Sequence, residues 1–101
     1  MLCALSVRRL KPGTYDEFRS AWEPDEFPSA LRRAYHVRDV NDPDLVISFG
    51  LLDAEPGDID AFRHEVADVE KSRQAAMAQY VDELVVDGIF EVVDEVVPAG
   101  R

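Results

Sequence analysis

One cysteine, Cys3, in 101 residues rules out an internal disulfide, so the fold must be held by packing and hydrogen bonds. No stretch approaches the roughly 18 consecutive apolar residues of a membrane-crossing helix, because Asp, Glu or Gly interrupts each apolar run. Positive charge is scarce: 11 Lys and Arg stand against 21 Asp and Glu, a formal net charge of -10. DNA, RNA or an anionic membrane would be approached against the overall field, so none of them is an expected partner. No basic start leads into an apolar signal segment, and with the lone cysteine this predicts a reduced, cytoplasmic protein. What is present is 47% hydrophobic and 32% charged sequence, the balance of one compact domain spanning residues 1–101. The acidity is regional. Residues 1–50 carry seven basic and eight acidic groups, for -1, and residues 51–101 carry four and thirteen, for -9.

Periodicity divides the chain into six elements. LCALSVRRL, residues 2–10, alternates as a strand with Cys3, Leu5 and Val7 on one face and Leu2, Ala4, Ser6 and Leu10 on the other. Pro12 and Gly13 stop it, and Thr14 with Glu17 reads as a capping box opening a short helix whose Tyr15, Phe18 and Trp22 share a face. Pro24 and Pro28 bracket an irregular segment suited to a turn or lid. Residues 31–40 read as a half-exposed strand with Arg33, Tyr35, Val37 and Asp39 on one side and Arg32, Ala34, His36 and Arg38 on the other. The polar turn 41–44 then leads into LVISFGLL, residues 45–52, apolar on both faces as a central strand should be. Asp58 is the expected cap of a long helix carrying Ile59, Phe62, Val66 and Val69. Asp87-Gly88 reads as a break before a final strand over 89–97.

The order β-α-β-β-α-β predicts an α+β, ferredoxin-like fold, with two helices on one face of a four-stranded antiparallel sheet. The other sheet face needs cover, and a second copy packed face to face would supply it. With LCALSVRRLKPGTYDEF, DLVISFGLLDA and GIFEVVDEV in that order, the chain resembles the dimeric α/β-barrel superfamily, including small antibiotic-biosynthesis-monooxygenase-like proteins. The resemblance spans residues 2–97 and implies a homodimer whose sheets form a dimeric α/β barrel. It also implies one of several chemistries, cofactor-independent oxygenation among them. The haem-degrading branch uses an Asn, a Trp and a helical His, whereas here the second helix has no Trp and only His64.

Several residues carry candidate chemistry. His36 titrates nearest neutral pH, and Arg38, on the same strand face, is suited to hold an anionic or enolate-like oxygen, a base and an anion anchor. Tyr15, Phe18 and Trp22 are candidate ligand contacts that core packing explains equally well, and His64 is a secondary one. The two histidines are 27 positions apart with no Cys/His cluster, and no Gly-rich phosphate loop is present, so neither metal nor cofactor is expected. The leading expectation is a cofactor-independent, monooxygenase-like enzyme acting on a small aromatic or polyketide-like molecule. The alternative is a noncatalytic protein that binds a small ligand or assembles as a homodimer.

Overall fold

The computed structural model describes residues 1–99. Strand β1 (Leu2–Leu10) is followed by helix α1 (Tyr15–Trp22), strands β2 (Leu31–Asp39) and β3 (Asp42–Leu52), helix α2 (Ile59–Met77) and strand β4 (Val81–Glu91). Short 3-10 turns, Pro56–Asp58 and Ala78–Tyr80, flank α2. The strands form one antiparallel sheet in the order β2-β3-β1-β4, the ferredoxin-like arrangement expected from the element order. Among the described residues no helix is long and apolar enough to cross a membrane.

The expected barrel is not formed. β2 pairs only with β3 and β4 only with β1, so the sheet is open, with β2 and β4 as its edges. Closure would require β2 to pair with β4, and four strands are about half the number that encloses a side-chain-filled interior.

Alternation sorts the sheet into two faces. Leu2, Ala4, Ser6, Arg8 and Leu10 of β1 lie on the helix side, opposite Leu52, Gly50, Ser48 and Val46 of β3. Leu10, Val46 and Met77 bury Phe18 of α1 completely, with Tyr15, Ala21, Trp22, Tyr80 and Val81 around them. The other face carries Leu5 and Val7 of β1, Ile47 and Phe49 of β3, Tyr35 and Val37 of β2, and Val86 and Phe90 of β4. Among the described residues no helix covers it, which leaves Tyr35 41% and Phe90 47% exposed and Tyr35 stacked on Phe49 at 5.2 Å.

Four local expectations are corrected. Thr14 does not cap α1 through its side chain; its Oγ donates instead to the Lys11 carbonyl at 2.7 Å, closing the turn in which Gly13 sits at φ +73. The β2-β3 connection is tighter than the 41–44 turn, because Asp39 pairs with Asp42 and Pro43 already lies in β3. β4 begins eight residues before the expected strand and ends at Glu91. Gly88 sits inside it, paired with Leu5, so the ladder to β1 overrides the weak strand preference of glycine. Asp58 precedes α2, but its carboxylate accepts from the Glu55 N–H at 2.9 Å and so serves the 3-10 turn.

Candidate functional site

The helix side of the sheet is not filled. A cavity of about 330 Å³ lies between the sheet and α2. Leu52 and Ile89 form its floor, Phe62, Val66 and Val69 its roof, and Trp22 and Phe27 one end. Polar groups break this apolar lining at Ser6, Arg8, Ser48 and Asp87 from the sheet and at Arg63, Glu70, Arg73 and Gln74 from α2. A shallower recess is lined by Arg19, Arg32 and His36 and shares Trp22, Phe27, Leu31 and Ala34 with the cavity. The size and the apolar walls with few polar groups are those of a small-molecule site.

His36 reaches this region because its strand parity points it to the helix side, directly opposite Ser48 of β3. Its Nδ1 lies 2.8 Å from the Ser48 Oγ, and its ring meets Trp22 edge to face at 4.4 Å between centroids, with Phe18 at 6.2 Å. Nε2 is buried without a hydrogen-bond partner. Burial, reinforced by the positive charges of Arg19 and Arg8, lowers the His36 pKa to about 4. The ring is therefore neutral at pH 7 and able to accept a proton. Because the folded value lies below the ordinary histidine value of 6.5, the unfolded chain binds the proton first on acidification. The His36 contribution to stability is complete above pH 6.5, falls as the pH drops towards about 4 and levels off below it. Urea titrations of the native chain and H36Q between pH 7 and 4 should show a steeper loss for the native chain; parallel curves would contradict the buried, neutral ring.

Arg8 lies on the same face of β1, 4% exposed, with its guanidinium 5.5 Å over the Phe18 ring. Its Nη1 has no hydrogen-bond partner. Nearby charges are engaged elsewhere: Ser6 donates to Asp87 at 2.7 Å, and Arg73 pairs with Glu70 while donating from Nη1 to the Trp22 carbonyl at 2.9 Å. Arg73 and Arg19 also lie over the Trp22 ring, at 5.0 and 5.2 Å, fixing that ring between cavity and recess.

Of the residues singled out from sequence, Trp22 and His36 come together, and Phe18 lies beneath His36 in the core. Tyr15 packs beside Phe18 at 6.4 Å, and Arg38 lies over the Tyr15 ring at 5.4 Å; neither lines the cavity or the recess. His64 is exposed on α2 and lines neither space. Sequence reasoning did not single out Ser48 or Arg73, and it marks Arg8 only as one of five strand arginines, with Arg9, Arg32, Arg33 and Arg38, suited to interchain ion pairs or an anionic ligand. For Arg8 a signal was there: it shares strand parity with Leu2, Ala4, Ser6 and Leu10, so a charge stood on the face that the helices cover. No group of three or more metal-ligating side chains occurs among the described residues.

Solved structures share this architecture across nearly the whole chain. Several bear the name putative antibiotic biosynthesis monooxygenase. The one from Chloroflexus aurantiacus J-10-fl is 16% identical, with a TM-score of 0.67 over 96% of this chain and 98% of that one. The one from Nitrosomonas europaea is 14% identical, with a TM-score of 0.68 over 93% and 100%. The fold is the shared property. An uncharacterized NIPSNAP domain protein from Burkholderia xenovorans is 20% identical, with a TM-score of 0.58 over 99% and 96%. No protein-family model and no curated protein matches the chain.

Proposed function

We propose that the chain binds a small aromatic or polyketide-like molecule in the cavity between the sheet and α2 and acts on it as a cofactor-independent, monooxygenase-like enzyme. The observation that carries this reading is the apolar cavity with Ser48 in its wall and neutral His36 hydrogen-bonded behind that hydroxyl. Ser48 takes the proton from an acidified CH2 group of the substrate and passes its own to His36. The resulting carbanion transfers electrons to dioxygen and forms a C–O bond, and the proton on His36 returns through Ser48 to give a hydroperoxide; loss of the second C–H proton as the O–O bond breaks leaves C=O on the substrate and releases water. One CH2 and one O2 thus become one C=O and one H2O. The names of the similar folds point to the same class of chemistry.

The sole tryptophan, Trp22, lines both spaces and reports occupancy by its fluorescence. Titration with 2-naphthol should quench it saturably, and a linear response would remove the pocket from the proposal. With 2-tetralone as the probe ketone, oxygen uptake should depend on the native chain. Uptake should fall by roughly 10²-fold or more in H36A, the size of a general-base contribution. Saturable binding without oxygen uptake favours the second reading, a noncatalytic ligand-binding protein, which the low basicity of His36 also suits.

The partner proposed for the uncovered sheet face is a second copy of the chain, packed through Leu5, Val7, Ile47 and Phe49. A reducing, cytoplasmic setting suits Cys3, which is free and lies on that same face.

A further inference from the structure

We infer that the ligand of the cavity is an organic monoanion, a carboxylate or equivalent oxyanion, whose negative oxygen pairs with Arg8. This rests on the cavity reading above and narrows its ligand class. Arg8 is 4% exposed, its Nη1 is buried without a partner, and it lines the cavity. The chain has 21 acidic residues, yet among the described residues none stands at ion-pair distance from Arg8. The two carboxylates whose charge reaches it, Asp87 and Glu70, are bound to Ser6 and Arg73.

A buried cation with no carboxylate in direct contact is costly even with the Asp87 charge nearby, and a guanidinium does not escape by losing its proton. Stacking over Phe18 offsets only a small part of that cost. An anion arriving with the ligand completes the pair in a low-dielectric setting where the charged hydrogen bond is strong. The apolar walls make the rest of that ligand organic. Arg8 is the buried unpaired guanidinium among them and suits one negative charge, whereas Arg63, which also lines the space, is exposed to water. Arg73 lines the same space, but Glu70 already neutralises it.

The matched probes 2-naphthoate and 2-naphthamide differ in charge and hardly in shape. By Trp22 fluorescence and calorimetry, the native chain should bind the naphthoate at least about tenfold tighter, a modest expectation for a charge-assisted hydrogen bond. R8M, which replaces the cation with an apolar side chain of similar length, should lose that preference. Its unliganded form should unfold at or above the native temperature, since an unpaired buried charge has been removed. R8K keeps the charge without the planar fork and should retain a reduced preference, which holds the test open if R8M does not fold. Equal affinity of the native chain for both probes, or a naphthoate preference that survives R8M, overturns the anion assignment and leaves the cavity reading standing. Failure of both probes and of 2-naphthol to bind overturns the two together.

Discussion

An Ile47→Asp chain is expected to sediment at about 11.4 kDa, while the native chain runs at twice that mass over the same concentrations. Ile47 lies near the middle of the uncovered sheet face, between Val7 of β1 and Val37 of β2. Leu5, Phe49, Tyr35, Val86 and Phe90 extend the apolar surface around it. Monomers rarely leave so continuous an apolar patch in water. A stable pair typically covers about 800 Å² on each partner, and its apolar centre contributes most of the association. A carboxylate at that centre would be desolvated with no counter-ion, which abolishes association rather than weakening it. The monomer tolerates the same change, because on that face the carboxylate stays in contact with water and the Phe18 core lies on the opposite side. Analytical ultracentrifugation decides the matter: a native chain that stays at 11.4 kDa, or an I47D chain at twice that, removes the face-to-face assembly.

Phe18→Ala should be the most destabilising single truncation. Phe18 has 0% exposure and packs on Leu10, Val46 and Met77, joining α1, the end of α2 and the two central strands. It also lies beneath the Arg8 guanidinium and against the His36 ring, so its removal opens a void under both site residues. A buried Phe→Ala change costs about 3–5 kcal/mol. At about 4–8 °C per kcal/mol for a domain of this size, unfolding should come at least about 12 °C earlier. Calorimetry of F18A beside the wild type is the measurement, and a shift under about 4 °C would mean that α1 is not anchored through this side chain. Cavity probes should also lose affinity in F18A at temperatures where it remains folded.

The fold was legible where side-chain period and burial agree. Leu2–Leu10 was read to the residue because apolar positions occur on both faces of a central strand, and α1 because Tyr15, Phe18 and Trp22 recur at helical spacing. The last strand was displaced because local punctuation competed with tertiary pairing. Asp87-Gly88 has the composition of a turn, but hydrogen bonding to β1 and the Ser6–Asp87 contact hold it extended. Val92, Val93, Val96 and Val97 have strand propensity with no strand beside them, and only the Val92 N–H extends the ladder, to the Met1 carbonyl. At the site, His36 and Trp22 stood out by residue type, and the structure places them in contact. Arg8 was legible only as one of several strand arginines, and its burial was not, because a charge in a strand is ordinarily read as solvent-facing. Ser48 was hidden because its meaning depends on lying opposite His36, a register that residue spacing within one strand does not encode.

The open sheet ends on two edges of opposite sign. β2 carries Arg32, Arg33 and Arg38 against Asp39, whereas β4 carries Asp82, Glu83, Asp87 and Glu91 without a basic residue. A two-fold axis placed at either edge would set like against like, basic ladder on basic ladder or acidic on acidic, and repulsion there guards the unpaired backbone groups against self-templating. The polarity that leaves the second half of the chain with nearly all the net negative charge thus keeps each rim of the sheet from pairing with the same rim of another copy.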